Sequence, residues 1–172
     1  MIRAEALFAK KSERSTLDAP LEHLKACHRR IEERLDTMER AAAFLETERE
    51  QALEAFESAF RFMDTSGELH TEDEEISIFP RLRPLLEAGE RTYLAGLEHD
   101  HTEAHRLYTR LKEVYAQPDQ TVQVKDLVAR LTALYRGHIA SEDEALQSYA
   151  AQHLPQDALQ AIASEMKARR NR

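Results

Sequence analysis

The chain has 172 residues, 42% hydrophobic and 33% charged, enough for one domain with a buried core and too few for two comfortable ones. Its formal net charge of −8, from 24 Lys and Arg against 32 Asp and Glu, argues against nucleic acid or an anionic membrane as partner. A single cysteine, Cys27, excludes an intrachain disulfide framework, and no stretch reads as a signal peptide or membrane span, so a cytoplasmic location is expected.

Residues 1–18 are mixed in charge and short of apolar partners, which predicts a flexible N-terminal arm. Asp18 followed by Pro20 reads as a cap and a first-turn proline. The stripe Leu21, Leu24, His28, Ile31, Leu35, Met38, Ala42, Leu45 then advances by three or four at every step, as one face of a helix does. A second helix is expected over 47–79, with Leu53, Phe56, Phe60, Met63, Gly67, His70, Glu74 and Ile78 in stripe. Gly67 is a point of kinking or breakage and Pro80 is the stop. The third, over about 90–116, carries Leu94, Leu97, His101, His105, Tyr108, Leu111 and Tyr115 before "QPDQ" turns the chain. The fourth, over about 120–150, carries Val124, Leu127, Leu131, Leu134, His138, Glu142, Ala145 and Tyr149. Pro155 opens a short fifth helix whose end, "EMKARRNR", is expected to be solvated. Scarce Gly and Pro and the absence of alternating β-rich runs make the class all-α. The architecture expected is an antiparallel up-down-up-down four-helix bundle over 19–153, with a C-terminal helix and basic tail over 154–172.

Histidine stands where a core residue belongs in each of the four stripes. Positions i and i+4 share a helix face about 6 Å apart, so His70 with Glu74, His101 with His105, and His138 with Glu142 are each expected to point inward, and His28 stands alone on the first helix. Counted from the expected helix ends in an alternating bundle, these groups fall in one slab, roughly 14–18 Å from one end at a rise of about 1.5 Å per residue. Burying so many ionisable groups demands pairing, neutralisation or metal. Five imidazoles, two bridging carboxylates and one oxo or hydroxo bridge fill all but about one of the twelve positions of two octahedral ions. That ligand set suits iron without excluding zinc or manganese. His23 and His99 lie off the stripes and are expected to face solvent. His153 suits the end of the fourth helix. Cys27 reads as a small buried hydrophobe, and Gly96 and Gly137 invite either close helix approach or simple tolerance.

One His, then "HTEDE", then "HTEAH", then "HIASE" on successive helices resembles the hemerythrin family, in particular bacterial HHE cation-binding domains, over about residues 20–150. "EEISIFPRL" at 74–82 matches the family's habit of ending its second helix in Phe-Pro. The resemblance implies two irons: His28 and His70 on the ion with the open position, His101, His105 and His138 on the other, Glu74 and Glu142 bridging. Hemerythrins proper place the last carboxylate as Asp five residues after its histidine, whereas many HHE domains use Glu four after. Both are present, and the i+4 spacing favours Glu142 over Asp143; Glu75 stands in a similar relation to Glu74. The first functional expectation is binding of dioxygen or nitric oxide at the open position, for storage, delivery or stress sensing. The alternatives are a diiron enzyme acting on peroxide or oxidising and handling iron in stress response or iron-centre repair, and an interaction module that metal merely stabilises.

Overall fold

A computed structural model describes residues 16–171; most of the expected N-terminal arm lies outside them. Within this span the chain is all-helical, with no strand among the described residues. Helix α1 runs Pro20–Phe44. Its N-cap is Ala19, with no side-chain capping bond, so Asp18 is not the cap expected; that carboxylate pairs instead with Lys167. Pro20 does sit in the first turn, where its missing N–H costs nothing.

Helix α2 spans 49–82 and changes winding on the way: α over Arg49–Phe62, π over Met63–Gly67, α over Glu68–Glu72, π over Asp73–Ile78 and α over Phe79–Leu82. Gly67 therefore neither breaks nor ends it. Pro80 does not stop it either: the proline falls in the first turn of the last α segment, where the π pattern has just ended and a proline is tolerated. A 3-10 turn, Arg83–Leu85, leads to α3 (Ala88–Val114), which opens with a capping box between Glu87 and Glu90. Helix α4 covers 121–153, as α over Thr121–Ser141, π over Glu142–Leu146 and α over Gln147–His153; α5 occupies Gln156–Arg169.

The helices form a bundle in which α1 packs along α2 and α4, and α3 along α4, while aromatic contacts such as Phe60 against Tyr108 join α2 to α3. The π segment in α4 alters the expected stripe. One extra residue in the turn rotates the rest of the helix, so Leu146 and Ala150 are buried where the regular period points to Ala145 and Tyr149. The core divides into two apolar clusters. One contains Ile31, Met63, Ala104 and Leu131; the other contains Leu24, Ile78, Leu97 and Leu146. Along each of the first four helices the inward histidine falls between members of the two clusters, so a polar layer is enclosed between two dry ones.

Helix α5 lies against α1 and the second π segment of α2. Its Ile162 and Met166 belong to the core, and Arg169 is only 6% exposed, so the tail is not solvated as its charge suggests. The same packing overturns the expectation for His23. Thr16, Leu17 and α5 cover that face of α1, and His23 is 1% exposed, its Nδ1 hydrogen-bonded to Thr16 Oγ1 at 2.8 Å and its Nε2 3.4 Å from Cys27 Sγ. Burial, with the nearby Arg170 and Arg30 charges, drops its pKa to about 3, so it is a neutral core histidine. His99 is exposed as expected, and a Cβ added at Gly96 or Gly137 meets nothing within 4 Å, so neither glycine marks a close helix approach.

Candidate metal centre

Six of the seven side chains singled out by spacing converge in the polar layer. His28, His70, Glu74 and Glu142 offer donor atoms all within 4.8 Å of one another, and so do Glu74, His101, His138 and Glu142. The two carboxylates are common to both groups. Glu74 turns Oε1 to His70 Nε2 (3.3 Å) and His28 Nε2 (4.0 Å) and Oε2 to His101 Nε2 (3.3 Å). Glu142 Oε2 lies 3.1 Å from His28 Nε2 and 3.3 Å from His138 Nε2. Donors bound at about 2.1 Å around one ion stand about 3.0–3.4 Å from each other, and most of these separations fall in that range.

Why the sequence builds this locally is visible in the helix winding. Each carboxylate lies at or next to the start of a π segment, Asp73–Ile78 for Glu74 and Glu142–Leu146 for Glu142, and the wider turn begins where the side chain must enter the bundle. The i+4 pairing with His70 and His138 is kept, and the extra residue is absorbed downstream. Period counting on the sequence contains no sign of these segments, because π winding is set by what the turn packs against.

The layer has the donor chemistry of a cation site. Glu74 Oε1 and Oε2, Glu142 Oε1 and Oε2, and His28 Nε2 are buried without a hydrogen-bond partner. Buried oxygens and nitrogens facing each other with no hydrogen between them are costly unless a positive charge sits among them. The electrostatics agree. Burial, reinforced by Glu142, pushes the Glu74 carboxyl well above its usual range, whereas for Glu142 the neighbouring His138 and His28 imidazoles outweigh burial and hold it low. Two like charges share a dry site and cannot both ionise freely without a cation. Burial opposes the charge on His28 and His138, but the carboxylates around them raise both; His70, fully buried and beside His28, is held well below the ordinary histidine value.

A second ring of carboxylates orients the imidazoles. His28 Nδ1–H donates to Asp143 Oδ1 (2.8 Å), His101 Nδ1–H to Glu75 Oε1 (2.8 Å), and His138 Nδ1 makes a longer 3.4 Å contact with Asp100 Oδ2. An Nδ1–H held in this way turns Nε2 inward, the arrangement that fixes the tautomer of metal-binding histidines, and His101 Nε2 stands 3.1 Å from His138 Nε2. Asp143 and Glu75, the alternative donors by spacing, thus stand behind histidines and outside both groups. These partners escape a reading of periodicity; the signal for them is the acidic residues adjoining His101, Glu74 and Glu142, in "HDH", "EDEE" and "SEDE".

His105 is placed apart. It is exposed, and the buried face of α3 runs from Leu97 through Ala104 and Leu107. With Glu75, His101, Tyr108 and Tyr135 it lines a cleft of about 570 Å³ that opens between α2 and α3 and reaches the centre at His101. Tyr135, which no stripe singles out, lies three residues before His138. Burial and the Glu74 charge push its hydroxyl up to about 12, so at neutral pH it is a proton donor on the cleft wall. Tyr108 instead donates to Asp64 Oδ1 (2.8 Å).

Paired histidine–carboxylate groups in the middle of a helical bundle define a helical cation-binding protein. Comparison with known proteins gives the family: the hemerythrin HHE cation binding domain matches residues 19–150, and the chain belongs to that family. It is also 28% identical over 162 residues, 91% of this chain and 92% of the other, to an uncharacterised protein of Haemophilus influenzae. Among the described residues no helix is long and apolar enough to cross a membrane.

Proposed function

We propose that the centre holds two irons in an antiparallel up-down-up-down four-helix bundle, with an oxo or hydroxo bridge, and that the protein binds dioxygen or nitric oxide for storage, delivery or sensing. The observation that carries this reading is the pair of carboxylates common to both donor groups, with Glu74 turning one oxygen to each side. His28 and His70 would hold one ion and His101 and His138 the other; the family likeness implies His105 as a seventh ligand, which from its exposed place one turn after His101 would have to turn inward to reach the centre. Ferrous iron held by these residues would supply reversible uptake of a diatomic ligand. The chain's own contribution is a dry layer between two apolar clusters, carboxylates that orient the imidazoles, and a cleft with a tyrosine hydroxyl on its wall. The excess of imidazole over carboxylate leaves the ions fewer anionic ligands than ferritin-like sites have, which disfavours oxygen activation.

Metal analysis after anaerobic loading with ferrous iron comes first, and two equivalents per chain are expected. His101→Ala should lose at least one equivalent while His99→Ala, on the exposed side of the same helix, loses none; equal losses would refute the site. Stopped-flow spectroscopy of the loaded protein then separates the roles. An oxygen adduct that reverses when the gas is removed supports binding. Rapid formation of a ferric product, or repeated turnover of peroxide, identifies an enzyme instead, and retained metal with no spectral response leaves only a metal-stabilised module.

A further inference from the structure

The second π segment of α2 presents three consecutive carboxylates, Asp73, Glu74 and Glu75, and one of them enters the centre. A helix that has already left regular winding has more than one register open to it, and a shift of one residue, about 100°, exchanges the carboxylate that points inward. The i+4 spacing from His70 favours Glu74, and contacts outside the centre hold the segment in that register. The α5 end grips the segment on both sides of Glu74. Asp73, fully buried, accepts from Arg169 Nε at 2.9 Å and from Arg170 through two nitrogens, at 2.7 and 3.2 Å. Four residues on, buried Ser77 accepts from Arg169 Nη2 at 2.5 Å and donates to Glu165 Oε2 at 2.6 Å, and Glu165 is itself held by Arg81.

We infer that Arg169 and Arg170 are positioning residues for the metal centre: by holding Asp73 away from it they set the register in which Glu74, rather than Asp73 or Glu75, bridges. Buried ion pairs add little net stability because desolvation offsets attraction, yet they are strict about geometry, since a displaced partner leaves a buried charge unpaired. Planar guanidinium groups on one carboxylate fix orientation as well as distance. Both arginines lie beyond residues 19–150, the stretch that matches the family, so the device belongs to this chain's C-terminal helix.

The inference rests on the two-metal reading, and cobalt(II) tests the two separately. Wild-type protein that fails to take up two cobalt equivalents defeats the reading itself. If it takes up two, the Arg169→Ala/Arg170→Ala variant is expected to bind at least one of them tenfold or more weakly, with a changed visible cobalt spectrum, and Arg169→Lys/Arg170→Lys should recover part of the affinity. Should the double variant not fold, Arg170→Ala alone, which keeps the Arg169 bond, is read in the same way. Ile162→Ala loosens α5 through its apolar side and leaves the arginines in place, so it should lower stability without altering the cobalt spectrum. Unchanged affinity and spectrum in the arginine variants, or an equal spectral change in Ile162→Ala, overturns the inference.

Discussion

His23 and His28 are five residues apart on one helix, and the protein uses them in opposite ways. His28 is surrounded by carboxylates that raise its affinity for a proton, whereas His23 has only a hydroxyl, a thiol and nearby arginines. With a folded pKa of about 3 against 6.5 for the free side chain, His23 stays neutral in the native state while the unfolded chain takes up a proton below about pH 6.5. Stability is therefore retained above that pH and lost as pH falls toward 3, by up to about 1.4 kcal/mol per unit. Urea denaturation of wild type and His23→Gln between pH 7 and 5 should show a shallower loss in the variant. A parallel pair of curves would mean that His23 is protonated in the fold. At this scale the candidate ligands were legible in the sequence because a histidine in an apolar stripe is an anomaly, while the burial of His23 was not, because the elements covering it are distant in the chain or lie just ahead of α1.

The π segments are features of the element, and the one in α4 makes a direct prediction. Glu144 is exposed within it, and deleting Glu144 returns the turn to α winding with Leu146 three and Ala150 seven residues after Glu142, still on the inward face. The deletion variant is expected to keep its helical circular dichroism and to bind metal at least tenfold more weakly, because the wide turn at Glu142 is gone. Retained affinity would show that the π winding is incidental to the site. The same local effect explains the misplaced stripe downstream, where Ala145 and Tyr149 fitted a strict period and the chain buries Leu146 and Ala150. His105 has a related cause: Ala104 and His105 are three and four residues after His101, both compatible with one face, and the apolar one is the one buried.

For the whole molecule, the unexpected part is α5. Composition marks its end as a basic, solvated tail, but Ile162 and Met166 are fully buried in the same cluster as Leu24, Phe79 and Leu97. Ile162→Ala should therefore cost about 2–4 kcal/mol, as a cavity in a closed core does, measured by urea denaturation of the metal-free protein. A change under about 0.5 kcal/mol, typical of a surface position, would mean that α5 is docked only loosely.

Periodicity alone identified five helices, their approximate ends and the inward face that carries His28, His70, Glu74, His101, His138 and Glu142, because helix geometry converts spacing into direction without any knowledge of neighbours. Tertiary packing decided the rest: that His23 and Arg169 are buried, that Pro80 is passed rather than obeyed, that Asp143 and Glu75 stand behind His28 and His101, and that the arginines of α5 hold Asp73. Each of these depends on a contact between residues far apart in the chain or on a turn wound against its neighbours, and burial and hydrogen bonding of that kind have no local period to read.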